Sequence, residues 1–532
     1  MGAINIIGAG LAGLSAAVTL AERGVPCRLI SLQPSERAQS VLAEGGINAA
    51  LDTMGEQDSP ALHFEDTVKG GCDLADPNAV AALTEHAPET VRWLESLGVP
   101  FARSGGEIAL RSFGGQRKKR TAYAQSSTGK MLMTALIDEA RKYEAQGLIR
   151  RYSHHELIRL VISGGECRGA HVRDRITGLC AELPGRVILA SGGMNGMFPS
   201  RTTGTVMNSG DVTATAFSQG VLLSSPEMIQ FHPTTVGIPG KRCLVSEAAR
   251  GEGGRLFIAK ATGEKWYFME EKYPELGNLS PRDVVSREMY FARRQEDTAG
   301  EVCLDMTGLS DDIWKNRLSD LREELIRYTG IDPKNTPVPV HEGIHYFMGG
   351  IDVDIRHRTN IPGLYAAGEC CGQYHGANRL GGNSMLGAVY GGRTAAETAA
   401  EGFSPSQESE PAFAPLDDEP LLTPARESFN ERLAVILTEA LGIVRRADVL
   451  ESAIGKVRAL SEEAVCQREK LRCALALAML RGALERRESR GAHYREDFPQ
   501  RSDDFRRTTV ARFEANDAVI SFREIPERRA EQ

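Results

Sequence analysis

No C-x-x-C pair, c-type haem motif or iron–sulfur spacing occurs among the ten cysteines of this chain. Any one-electron carrier it works with must therefore come from elsewhere. Cys370 and Cys371 are neighbours and are read as reduced thiols. A run of roughly 18 apolar residues is missing, which excludes a membrane-spanning helix. Also missing is a basic segment followed by an apolar stretch and a cleavage site. The N-terminus enters a strand at once, as AINIIGAG, and a cytoplasmic location is expected. Positive charge is not in excess: 63 Lys and Arg against 71 Asp and Glu leave a net charge of −8, which argues against a nucleic-acid partner. No internal repeat is found, and no metal site is expected.

Glycine is what the chain has in plenty, 55 of 532 residues, which hints at nucleotide-binding loops. Ala3 to Ile7 is an apolar run ending in Gly8-Ala9-Gly10-Leu11-Ala12-Gly13. A helical pattern over Leu14 to Arg23 and a second strand, Val25 to Ser31, follow. This is the dinucleotide fingerprint in its required setting of strand, turn, helix and strand. The first glycine makes the turn, the second admits a pyrophosphate, and the third lets helix pack on strand. The helix N-terminus then faces the phosphates. The usual acid at the end of the second strand is replaced by Ser31, which weakens an NAD reading.

At 532 residues the chain should divide into two to four domains. Helical spacing covers Pro77 to Leu97 and Met131 to Ala145, and a hairpin is expected over His154 to Val172 with its turn at Gly164-Gly165. The strand Gly185 to Ala190 returns to the nucleotide domain. Asp211 opens a further helix, where it is expected to cap and to bond a ligand hydroxyl. Residues 1–235 are read as the first part of the nucleotide domain, 236–345 as an insertion, 346–403 as its completion and 404–424 as a linker. Residues 425–532 are read as a helical bundle with a tail that ends in a hairpin.

The chemistry concentrates between His341 and Gly392, where His345 precedes Met348-Gly349-Gly350, a strand ends at Gly368-Glu369, and a glycine-flanked Arg379 is expected to open a buried helix. Phe231-His232-Pro233-Thr234, the segment Ser246 to Gly254 and Pro281-Arg282-Asp283 add further candidate ligand groups. Arginines bind carboxylates in fork geometry and histidines add directed donors, so this set suits a dicarboxylate. Arg282-Asp283 alone would ordinarily be a surface pair of little energetic weight.

With these motifs in order, and with FEDTVKGG, RSFGGQRKKRT, GLYAAGE, HGANRLGGNS and SRGAHYREDFP beside them, the chain resembles the flavoprotein family of succinate dehydrogenase, fumarate reductase and L-aspartate oxidase. The resemblance covers nearly the whole chain. It implies an α/β fold, α+β in all: a Rossmann-like FAD-binding domain interrupted by an inserted capping domain, plus a C-terminal helical domain. It implies FAD, with Gly8, Gly10 and Gly13 on the pyrophosphate and Ser31 on the adenosine ribose. Gly45, Gly46, Asp211, Glu369, Ser384 and Met385 would line the flavin and ribityl chain. His232, Ser246 (threonine in the family), His345 and Arg379 would clamp substrate carboxylates. Arg282 would exchange the proton, relayed through Glu247 and Arg250.

Two departures bear on the reaction. Complex-bound members carry a flavin-linking histidine where this chain has Gln39, so dissociable FAD is expected. L-Aspartate oxidase has a glutamate where Phe113 stands, and a phenyl ring offers no charge to a buried ammonium. The resemblance therefore favours fumarate and succinate interconversion, with L-aspartate oxidation as the alternative. An idle FAD-binding electron-transfer module is a third reading, and it predicts damaged motifs that are not seen. An iron–sulfur subunit or another electron carrier is the implied partner, and partner subunits could bring the chain to the inner face of a membrane.

Overall fold

The computed structural model of the chain describes residues 3–124, 127–404 and 411–528. Ile4–Ile7 is wholly buried and feeds a turn in which Gly8 adopts φ +121°. Helix Leu11–Glu22 follows, buried from Leu11 through Ala21 and apolar on nearly every side. Such a helix needs cover all round. It packs between the sheet and helix Asn383–Ala400. A Cβ on Gly13 would lie 1.9 Å from the Gly8 carbonyl oxygen, so only glycine lets the helix seat on its own turn.

Ile4–Ile7 is the centre of a five-stranded parallel sheet ordered Leu364–Ala366, Val187–Leu189, Ile4–Ile7, Cys27–Ser31, Ile149–Ser153. Its short strands are mostly Val, Ile, Leu and Ala, as a sheet covered on both faces requires. Leu364–Ala366 arrives some 175 residues after its neighbour Val187–Leu189, so the sheet closes around an interruption. The His155–Ser163 and Glu166–Asp174 hairpin forms as expected, its turn glycines Gly164 and Gly165 both at positive φ.

The interruption has its own core of Leu256, Ile258, Val302, Leu304, Trp314 and Leu325, among others, around a four-stranded sheet. Two long antiparallel strands, Ile229–Ile238 and His341–Phe347, form its root. This is the inserted domain, set on the nucleotide-fold base.

Two elements differ from expectation. The 77–97 stretch is two helices, Pro77–Glu85 and Ala87–Ser96, because Pro88 lacks the N–H that a continuous helix needs. Arg379 does not open the buried helix. That helix starts at Asn383 behind Gly382 at φ +84°, and Arg379 lies on the preceding loop.

Helices Glu427–Ala440, Ala447–Glu462 and Gln467–Glu485 pack as a C-terminal bundle. The final hairpin, Arg507–Glu514 with Asp517–Glu524, turns through Ala515 and Asn516 in the left-handed region. It adds two strands to a base sheet through Leu223–Ser224. Arg486 and Glu488, just before the SRGAHYREDFP segment, and Arg490 within it form a buried ionic knot. Arg486 donates to Glu227 and Glu488 at 2.9 Å each, and Arg490 donates to Glu488 at 2.8 Å and to the Cys72 carbonyl at 2.9 Å. Of the segment read as a linker, residues 405–410 lie outside the described residues; Ala414 beyond them bridges Cys180.

Candidate active site

A cavity of about 410 Å³ runs from the carboxyl end of the parallel sheet to the root of the capping domain. At one end it is lined by Gly8, Gly10, Ser31, Gln33, His155 and Glu156. Ser40 accepts the Leu11 N–H at 3.1 Å, and a Cβ on Gly10 would meet that hydroxyl. Gly45 and Gly46, then Ser191, Gly192, Glu369, Ser384 and Met385, carry the lining onward. Gly13 is the exception among the predicted cofactor residues: it faces the Gly8 turn and does not line the cavity. Gln39 lines it and accepts the Thr205 N–H at 2.6 Å.

At the other end the expected cluster comes together. His232, Ser246, Glu247, Arg282, His345, Arg379 and Phe113 all line the same cavity. The His232 and His345 rings meet edge-on, 5.2 Å between centroids, because their strands pair at the root of the cap. His232 Nε2 has no hydrogen-bond partner among the described residues. The Thr203 hydroxyl lies 2.8 Å from His345 Nδ1, which leaves Nε2 to face the cavity. Burial, and then the charge of Arg282, hold both imidazoles well below their ordinary pKa, so both are neutral donors or acceptors.

Arg282 begins helix Arg282–Ala292 of the cap and is buried. It does not pair with Asp283. Its Nε and Nη2 donate to Glu247 Oε2 at 2.9 and 2.7 Å, and Nη1 donates to Gln230 at 3.3 Å. Glu247 Oε1 accepts the Gly114 N–H at 3.1 Å. Burial raises the Glu247 carboxyl, but Arg282 and Arg250 outweigh it and hold its pKa at about 2. Arg250 does not reach the cavity lining; it lies behind Glu247 and donates to the Asn278 carbonyl at 2.6 Å. Arg379 stacks 4.5 Å from the centre of the Tyr346 ring, and its Nε has no partner among the described residues. Burial and the Arg282 charge lower it to about 9, still cationic at neutral pH.

Asp211 lines the cavity, and its carboxylate also accepts from Arg472, one bond to each oxygen at 2.7 and 2.9 Å.

Four site residues escaped the sequence reading. Gln230 also donates to Asn378 at 2.9 Å and to the Arg379 carbonyl at 2.8 Å, tying Arg282 to the Arg379 loop. It lies two positions before His232 on one strand, and that alternation was the available signal. Thr203 and Arg468 carried no local signal. Glu44, inside the A-E-G-G stretch, lines the cavity and hydrogen-bonds Ser246. Burial, then repulsion from Glu324, push its pKa up to about 8.

The FAD binding domain family model matches residues 4–385, and the fumarate reductase flavoprotein C-terminal model matches 430–529. The succinate dehydrogenase flavoprotein subunit of Bacillus subtilis is 37% identical over 96% of this chain and 93% of its own length. This chain is a member of the succinate dehydrogenase and fumarate reductase flavoprotein family. L-Aspartate oxidase of Streptomyces coelicolor belongs to the same circle, 35% identical over 96% of this chain and 91% of its own. The FrdA chain of E. coli quinol fumarate reductase superposes with a TM-score of 0.88 at 28% identity, over 98% of this chain and 96% of that one.

Members of this family are FAD-dependent oxidoreductases, and the residues present fit that cofactor. Side chains at Gly8 and Gly46 would strike the Ala190 and Ala122 carbonyls at 2.0 and 2.6 Å, so glycine lets these lining turns press against their neighbouring strands. The helix N-terminus at Leu11 faces the cavity. Among the described residues no helix is long and apolar enough to cross a membrane.

Proposed function

We propose that this chain interconverts fumarate and succinate as a flavoprotein with non-covalently held FAD. The observation that carries this reading is the convergence of His232, His345, Arg282 and Arg379 on the flavin side of one cavity. Bound FAD supplies hydride exchange at flavin N5. Arg379 and the two neutral histidines bind the two carboxylates, and Ser246 adds a hydroxyl. Cations fixed around the diacid meet the negative charge that develops in the transition state. Arg282 gives its proton to the olefinic carbon and is reprotonated through Glu247, with Arg250 behind it. An arginine is a poor acid in water. Glycine-lined backbone and the capping domain exclude water from the reacting carbons.

Gln39 in place of a linking histidine supports dissociable FAD, and with it fumarate reduction over succinate oxidation. "Subunit" in the names of the B. subtilis relative and of the Wolinella succinogenes 8-methylmenaquinol:fumarate reductase relative supports an electron-carrying partner for this chain.

L-Aspartate oxidation is the second reading, favoured by Glu44, a carboxyl within the cavity that an ammonium could pair with. Its raised pKa leaves it mostly neutral at pH 7, and Phe113 adds no charge, so the diacid reading is preferred. Purified protein with FAD decides between them. Dye-coupled fumarate reduction without aspartate-dependent peroxide is expected, and the reverse outcome overturns the proposal.

A further inference from the structure

We infer that the C-terminal bundle is part of the cofactor site: Arg468 and Arg472 on helix Gln467–Glu485 hold Asp211 and Glu156 in place in the wall of the FAD cavity, Glu156 on its adenosine side, and so set how firmly FAD is retained. The inference rests on the family's cofactor and not on the choice of substrate.

The adenosine half is located by the sheet. Ser31 ends the second strand, where a dinucleotide ribose is met. Ser31 pairs with Ser153 on the next strand, and the chain runs directly into His155, Glu156 and Leu157, which line the cavity. Among the described lining residues, Arg468 is the one drawn from the C-terminal bundle. Its Nη2 donates to Glu156 at 3.0 Å and its Nη1 to Asp211 at 3.4 Å. Arg472 grips Asp211 as a fork, at 2.7 and 2.9 Å, and reaches Asn430 of helix Glu427–Ala440 at 2.6 Å. Arg173 donates to the other Glu156 oxygen at 2.7 Å.

Packing gives an independent observation. Gly210 holds φ +78° at the start of helix Asp211–Ser218, and a Cβ there would lie 3.1 Å from Leu475 Cδ2. The bundle helix is thus seated on the turn that presents Asp211 to the cavity.

The charges explain why arginines are needed there. Two carboxylates in the wall of a diphosphate site would repel the ligand. Three guanidiniums reverse the sign while leaving carboxylate lone pairs to accept hydroxyl groups. Burial raises the Asp211 carboxyl, but the Arg472 hydrogen bond and the two arginine charges outweigh it and keep it ionised. Because ligand and bundle share this wall, binding of one strengthens docking of the other.

The test is titration of apoprotein with FAD, read by quenching of flavin fluorescence, for the unmodified chain, Arg468→Ala, Arg472→Ala and the double variant. The dissociation constant is expected to rise at least tenfold in the double variant. Arg432→Ala, which removes the exposed Arg432–Glu463 pair of the same bundle, is expected to leave it unchanged. Hydrogen exchange in 467–485 of the unmodified chain is expected to slow on addition of FAD, a readout that holds even if a variant fails to fold. A double variant that binds FAD within twofold of the unmodified chain, an equal loss in Arg432→Ala, or exchange indifferent to FAD would each overturn the inference. Tight FAD binding that depends on these arginines, in a chain that turns over neither fumarate nor aspartate, would uphold it while sinking the proposed reaction.

Discussion

Arg282 commits two of its nitrogens to Glu247 and a third to Gln230, so its direction is fixed before any substrate arrives. Arg282→Lys keeps a charge but loses the planar fork. Turnover should fall by about 10²-fold or more, while the flavin absorbance of the purified protein is unchanged; a fully active variant would show the proton donor to be misassigned. Glu44 makes a second prediction. Its folded pKa of about 8 lies above the ordinary carboxylate range, so it is neutral below that pH and charged above it. A charge beside Ser246 opposes a dianion, so KM for fumarate should climb as pH rises through about 8, and Glu44→Gln should flatten the climb. Folding stability should follow the same sign: the neutral carboxyl is tolerated in its buried place, and stability is lost as pH rises through the folded pKa. His232 and His345 are neutral throughout, so no inflection near the ordinary histidine pKa is expected in substrate affinity.

Among the elements, four of the five parallel strands (all but Ile149–Ser153), the first helix and the 155–174 hairpin were legible because each is encoded by neighbours in sequence. Apolar runs end in glycine, and the hairpin turn is Gly164-Gly165. The meeting of His232, Ser246, Arg282, His345 and Arg379 in one cavity was legible because each stands inside a contiguous motif. The Asp211 partners were not legible: a carboxylate at a helix start reads as a cap, and the arginines that grip it lie about 260 residues later. Pro88 could have divided the 77–97 stretch, since no helix interior accommodates its missing N–H. The buried ionic knot supplies a stability prediction. Arg486→Ala leaves Glu227 and Glu488 short of a cation in a water-free place. The loss should be about 3–5 kcal/mol, read as a lower midpoint in denaturant unfolding. Arg432→Ala on the surface should cost less than about 1 kcal/mol.

Seen as a whole, the molecule is held together by crossings of the chain. The last hairpin adds strands to a base sheet, and the Arg486–Glu488–Arg490 knot ties the C-terminal bundle to Glu227 and to the Cys72 carbonyl. Truncation after residue 500 should therefore unsettle the FAD-binding base and not merely trim a tail, seen as loss of flavin from the purified chain. The paired strands Ile229–Ile238 and His341–Phe347 root the capping domain and carry His232 and His345, whereas Arg282 stands on the cap's own helix. In the proposed reaction, capture and chemistry are thereby mounted on different parts. A diacid too bulky for the cap to settle over would still be gripped at the root, beyond reach of the guanidinium that must deliver its proton, and would behave as a competitive blocker instead of a slow substrate.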